Sequence, residues 1–195
     1  MCGRYGRWGR RQRIEELLGI EPSGLDDFPT LYNITPGVDT CIARAKDGER
    51  ALYSYLWGLV PYWSKDPKNG VRPVNAKAET AHERPMFGKL IRERRCLIPA
   101  NCYYEWKRTP SAKTPYCIRR EDESPFFIGG MWDVWHAREE DRLYTFTILT
   151  TFPNDVSGRV HDRMPLIVQP KEYERWLDPG NENVSDLLAP APVEG

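Results

Sequence analysis

Several features that would point to a function class are missing from this sequence. Lys plus Arg equals Asp plus Glu, 28 each over 195 residues, so net charge gives no hint of a polyanionic partner. No stretch approaches the roughly 18 apolar residues of a membrane-spanning helix, and no membrane association is expected. The start carries no apolar h-region, so no secretory signal is expected either. The five cysteines, Cys2, Cys41, Cys96, Cys102 and Cys117, form an odd set without a CxxC pair. That argues against a disulfide framework and against a structural zinc site. There is no glycine-rich phosphate loop, and His82 and His136 have no partner at metal-ligand spacing. No metal and no cofactor are expected. A reduced, cytoplasmic setting is, and it suits a reactive thiol.

What is present is uneven. The length fits one domain better than two, and a chain of this size buries about 70% of its unfolded surface. Seven Trp and ten Tyr are rich for this length, enough for a core and for exposed stacking platforms. Arg4, Arg7, Arg10, Arg11 and Arg13 crowd the beginning of the chain, and Arg92, Arg94 and Arg95 form a second group. A balanced total can hide a basic face, though such clusters are more often a solvated surface.

Periodicity predicts a helix over RQRIEELLG (11–19), with Ile14, Leu17 and Leu18 inward and Gly19 as a stop. TCIARA (40–45) and ALYSYLWG (51–58) read as strands of a hairpin across KDGE. PYWSKDPKNG (61–70) is a loop with an exposed-looking pair, Tyr62 and Trp63. Residues 78–94 read as a helix interrupted at Pro85. CLIP, YYEWK, YCIRR, FFIGGMW and LYTFTILTT follow as short strands, HDRMP as a turn, and Pro170 as the start of a helix through Trp176. The tail from about residue 189 reads as loose. The sum is a single α+β domain over 1–195, β-rich, with a barrel-like, mostly antiparallel sheet and a few flanking helices.

Four residues carry candidate chemistry. Cys2 directly follows the initiator methionine. If that methionine is removed, Cys2 presents an α-amine and a thiol on adjacent carbons, with ordinary pKa values of about 8 and about 8.5. A useful fraction of each is then expected to be nucleophilic at neutral pH. Asn75 in PVNAKAET can position a substrate or cap the next helix. Glu105 in ANCYYEW shares a strand face with Tyr103, and a carboxylate among aromatics is suited to proton transfer. His161 opens HDRMP and is the side chain best fitted to exchange protons near neutrality, although a lone turn histidine is usually just solvated. Together they supply a nucleophile, two proton carriers and a positioning amide.

MCGRY, YNITPG, WGLVPYW, NAKAET, RCLIPANCYYEW, FFIGGMWD and HDRMP stand here in the order seen in the SRAP family, the SOS-response-associated peptidase or abasic-site processing proteins, which the chain resembles from residue 1 to about 168. The resemblance implies loss of the initiator methionine and binding of single-stranded DNA carrying an abasic site. It implies that the Cys2 amine forms an imine with the ring-opened sugar aldehyde and that the thiol closes it to a thiazolidine, which shields the lesion. By the same resemblance Asn75 holds the Cys2 amine and the sugar, while Glu105 and His161 move protons and support crosslink reversal, a lyase-like step, and autopeptidase removal of Met1. Arg4, Lys77 and Arg84 are implied as DNA contacts, and Tyr62 and Trp63 as base-stacking aromatics. A cytoplasmic monomer, nucleoid-associated when on DNA, is expected. Three departures stand out: Lys77 replaces a common arginine, Cys102 replaces a common glycine, and the sequence stops at Gly195 in a Pro-rich tail where relatives usually continue past the last helix. The rival readings are an N-terminal-nucleophile amidohydrolase, a non-enzymatic single-strand-binding module and a cysteine peptidase acting on other proteins.

Overall fold

A computed structural model describes residues 2–46, 48–136 and 140–192. Five strands close a barrel. β3 (Asp39–Lys46) and β4 (Glu49–Trp57) pair antiparallel from Asp39↔Leu56 to Lys46↔Glu49. Their register is that of the expected hairpin, whose Asp47 lies outside the described residues. β4 joins β10 (Leu143–Thr151) in parallel, β10 joins β9 (Phe126–Trp135) antiparallel, and β9 joins β6 (Arg95–Ala100) antiparallel. β6 returns to β3 at Ala43↔Leu97, which completes the ring and leaves these five strands without an open edge. β5 (Asn75–Lys77) lies parallel to β10, while β11 (Met164–Pro165) and β12 (Ile167–Val168) extend the sheet beside β10 and β9. A second, antiparallel sheet runs β2 (Leu31–Ile34), β1 (Tyr5–Arg7), β7 (Cys102–Arg108), β8 (Lys113–Arg119).

The barrel strands are apolar on both faces, and the alternation of side chains assigns neighbours to different cores. Ile42, Ile98, Ile128 and Ile148 join one cluster with Cys2, Tyr5, Trp57, Tyr103 and Phe146. Ala43, Leu97, Phe127 and Leu149 join the other, with Ile14 and Leu18 of α1 (Arg11–Leu18) and Trp176 of α3 (Tyr173–Leu177). Gly130 is the point of closest approach: a Cβ there would stand 2.5 Å from Ile98 Cδ1 and 2.6 Å from the Thr147 carbonyl. Only glycine lets β9 sit against both β6 and β10 at that level.

Three expectations change. Residues 78–94 are not one interrupted helix. A 3-10 turn spans Ala78–Glu83, Arg84 is extended, and a short α2 follows at Leu90–Glu93. The residue before a proline is driven out of the helical region, and Arg84 precedes Pro85. The tail is docked as far as Ala191, which is buried and whose carbonyl accepts a hydrogen bond from Asn154 Nδ2 at 3.3 Å. The arginine clusters are split: Arg4, Arg10, Arg13 and Arg92 are exposed, whereas Arg7, Arg11 and Arg95 turn inward. Arg7 is 1% exposed and bonds the Pro29 carbonyl; Arg11 sits 4.0 Å over the Phe28 ring and donates to the Asp26 carbonyl. Arg95 is 3% exposed and donates to the carbonyls of Trp176, Ile91 and Asn181. These cations hold loops to the core and form no basic face. Among the described residues no helix is long and apolar enough to cross a membrane.

Candidate functional site

Cys2 enters the space between the two sheets just ahead of β1. It is fully buried, and the ladder Tyr5↔Tyr103 lays the start of the chain against β7. The Arg4 carbonyl accepts from the Tyr104 amide at 2.9 Å, which extends this pairing toward Cys2. On β7 the alternation expected of a strand is present: Tyr103 and Glu105 are buried, while Tyr104 and Trp106 are half-buried on the other face. Burial pushes the Cys2 thiol up to about 12, and the Glu105 carboxylate adds to that rise. In the chain that still carries Met1, burial and the neighbouring carboxylate thus disfavour the thiolate. A thiol with no water around it and a carboxylate beside it keeps its proton.

Asn75 does not cap a helix. It lies on β5, and the 3-10 turn that follows is capped by Lys77 without a side-chain hydrogen bond. The ladder Ile148↔Asn75, Leu149↔Ala76 and Thr150↔Lys77 fixes its direction. Its Nδ2 donates to the Cys2 carbonyl and to the Val74 carbonyl, each at 2.9 Å. Its Oδ1 is buried and has no hydrogen-bond partner among the described residues. One lone-pair site beside Cys2 is thus available for a donor that the structure does not contain.

Asn75 shares a cavity of about 460 Å³ with Trp63, Lys77 and Arg84. Tyr62 and Trp63 are 62% and 56% exposed, so the loop presents two aromatic faces to solvent. Lys77 and Arg84 are exposed as well. Arg4 is exposed beside Cys2, with its guanidinium 5.6 Å over the Trp106 ring and one bond to Asn33. Arg4, Lys77 and Arg84 therefore stand as accessible cations, in contrast to Arg7, Arg11 and Arg95.

His161 is tied to this centre from two directions. Its backbone amide donates to the Ser157 carbonyl at 2.9 Å, and Ser157 Oγ lies 2.8 Å from the Tyr103 hydroxyl. Ser157 gives its own proton to Asn154 Oδ1 at 2.8 Å, so Tyr103 is the donor to Ser157. Burial pushes the Tyr103 phenol up to about 12, with Cys2 and Glu105 among the groups raising it. Tyr103 thus stays a protonated donor with its ring between Ser157 and the Cys2–Glu105 pair. The second tie is Arg163, two residues on. It forks onto Glu79 and donates to the Thr150 carbonyl at 2.6 Å.

The His161 ring has two neighbours at Nδ1: the Arg163 amide at 3.0 Å and Asp162 Oδ1 at 2.8 Å. They ask for opposite protonation. The amide is a fixed donor, whereas Asp162 is 88% exposed and can turn into water. Nδ1 is thus the ring atom held against its own turn, by a backbone amide on one side and the Asp162 carboxylate on the other. Among the described residues no group of three or more His, Cys, Asp and Glu is arranged to hold a metal ion.

Cys102 packs as a small apolar residue. It pairs with Gly6, where a Cβ would meet its sulfur at 3.0 Å, and burial pushes its thiol up to about 11. Sequence reasoning missed Tyr103, Ser157, Glu79 and Arg163. Glu79 and Arg163 lie inside NAKAET and HDRMP, and their opposite charges in two linked segments were the available signal.

A family model described as SOS response associated peptidase (SRAP) matches residues 1–195. The abasic site processing protein YoqW of Bacillus subtilis is 36% identical over 197 residues, covering 97% of this chain and 87% of the relative. YoaM, the abasic site processing protein of the same organism, is 36% identical over 198 residues, covering 97% and 86%. A crystal structure of a protein from Bacteroides thetaiotaomicron superposes with a TM-score of 0.83 at 26% identity, covering 99% of this chain and 88% of that one. A chain matched by the family model from end to end, with the same barrel fold as its solved neighbour, belongs to the SOS response associated peptidase (SRAP) family.

Proposed function

We propose that the protein processes abasic sites in single-stranded DNA by forming a covalent bond through Cys2. The observation that carries this reading is Asn75. Its carboxamide nitrogen holds the Cys2 carbonyl while its oxygen is buried and unmatched, beside a cavity rimmed by Trp63, Lys77 and Arg84. That oxygen suits the N–H of a Cys2 amine once Met1 has been removed, or a hydroxyl of the opened sugar.

The chemistry balances without a cofactor. The Cys2 amine adds to the sugar aldehyde, and the resulting carbinolamine loses water to give an imine. The thiol sulfur then adds to the imine carbon, and its proton ends on the nitrogen, closing a thiazolidine. Because burial holds the thiol protonated, the proton must be carried as the C–S bond forms. Glu105, whose charge acts on the Cys2 thiol, takes that task on this reading. His161 serves the sugar oxygen. Positioned proton transfer of this kind is worth about 10²–10⁴-fold. The same pair supports release of Met1, reversal of the crosslink and a lyase step. Tyr62 and Trp63 stack bases, while Arg4, Lys77 and Arg84 meet phosphates; Lys77 does so as a point charge, without the bidentate fork of an arginine. On this reading the protein works as a monomer in the cytoplasm.

The test is a denaturing gel of protein mixed with an oligonucleotide carrying one abasic site. A slow band that survives denaturation and is lost in Cys2→Ala and in a form with a blocked N-terminus supports the reading. No band from protein whose mass shows Met1 absent overturns it.

A further inference from the structure

We infer that Phe152 and Arg163 form a second stacking platform, separate from the Tyr62–Trp63 loop, for a nucleobase that neighbours the lesion. The inference rests on the proposed DNA reading and extends it to residues outside that reading.

Phe152 is 60% exposed, one residue beyond the end of β10. A single exposed aromatic is ordinary by itself. This one is not alone. The Arg163 guanidinium lies 5.2 Å from its ring centroid, so a cation covers one face and the other is open. The cation is itself immobilised: Glu79 takes both of its terminal nitrogens, and the Thr150 carbonyl takes one of them again. Arg163 is 12% exposed in its side chain, and that burial keeps the pair in register. A ring held this way loses little rotamer freedom when a base settles on it. Val156, 41% exposed, adds apolar surface in the segment that leads to His161.

Position selects the occupant. β10 carries Ile148 opposite Asn75 and Thr150 opposite Lys77. Phe152 is four residues past the Asn75 level, about 13 Å along an extended chain. It is therefore too far along to meet the lesion sugar held at Cys2 and Asn75. A base one or more nucleotides away is within its reach, on the same line as Lys77. Stacking accepts any base, which suits a protein that must act on lesions in every sequence.

The experiment measures affinity by fluorescence anisotropy for Phe152→Ala, Phe152→Trp and unchanged protein. The probes are single-stranded oligonucleotides with a central tetrahydrofuran, which has no aldehyde and cannot crosslink. A second series also lacks one neighbouring base on either side. Phe152→Ala is expected to weaken binding about 5- to 150-fold, the range of one stacked base, and Phe152→Trp to restore it. In unchanged protein, removing the base on one side should produce the same loss, and Phe152→Ala should add nothing further on that probe. Full affinity in Phe152→Ala, or a loss that ignores the neighbouring base, overturns the platform. The probe series on unchanged protein tests the platform even if a variant misfolds: equal affinity with and without each neighbouring base overturns it. Crosslinking by unchanged protein to a true abasic site is scored separately, so failure of the covalent reading is distinguishable from failure of the platform.

Discussion

Arg163 forks onto Glu79 through two hydrogen bonds of 2.9 Å, joining the segment that carries His161 to the segment that carries Asn75. The pair is largely shielded, with side-chain exposures of 12% and 26%. Burial opposes ionisation of Glu79, but the Arg163 and Thr151 bonds outweigh it and hold the carboxyl below its ordinary value of 4.5.

Glu79→Gln should therefore destabilise the fold by about 1–3 kcal/mol, because a buried guanidinium loses its charged partner. A lowered folded-state pKa stabilises above the ordinary value and is lost as pH falls through the folded one. The variant should thus lie furthest below the parent near neutrality and converge with it in acid. Urea titrations at several pH values read this directly, and equal midpoints at neutral pH would contradict it.

Tyr103→Phe removes the hydroxyl that donates to Ser157. The stability loss should be about 0.5–1.5 kcal/mol. The larger effect should fall on crosslinking rate, since Ser157 anchors the His161 backbone, while affinity for a tetrahydrofuran probe stays level. A drop in affinity with no change in rate would place Tyr103 in DNA binding instead.

Asn75→Asp exchanges the Nδ2 donor for a carboxylate oxygen facing the carbonyls of Cys2 and Val74. Crosslink yield should collapse, and the melting temperature should fall as well. An intact yield would remove Asn75 from the proposed chemistry.

Arg4→Ala should weaken binding to abasic single strands and lower the slope of log affinity against log salt by about 1, as loss of one phosphate contact does. An unchanged slope across a salt series would limit Arg4 to its contacts with Trp106 and Asn33.

Burial pushes the Cys2 thiol up to about 12. Crosslinking rate should follow titration of the amine, about 7.7–8.0, and then level off. A continued tenfold rise per pH unit past about 8.5 would mean that free thiolate attacks.

Much of the fold was legible because its signals are local. Ile42, Ile98, Ile128 and Ile148 stand in short strand-like segments bounded by turn residues or polar loops, and Gly19 marks the end of α1, where φ is 59°. Strands β1, β2 and β5 were not legible. They are three or four residues long and owe their state to partners far along the chain, as Asn75 does to Ile148. The arginines misled for a related reason. Arg7 and Arg95 look like surface charge until the carbonyls they satisfy are brought together by the fold. At the site, Cys2, Asn75 and Glu105 were visible as residue types. The Tyr103–Ser157–Asn154 chain was not, since serine, asparagine and tyrosine give no signal until geometry aligns them.

The parallel ladder between β5 and β10 also sets an order of events in synthesis. Asn75 is translated early, but the strand that fixes it contains Ile148, and His161 comes later still. At about 5–20 residues per second, Cys2 waits several seconds on a growing chain before its pocket can exist. The first part of the centre to leave the ribosome is among the last to be enclosed, so nascent fragments carry Cys2 without the strand partners that bury it.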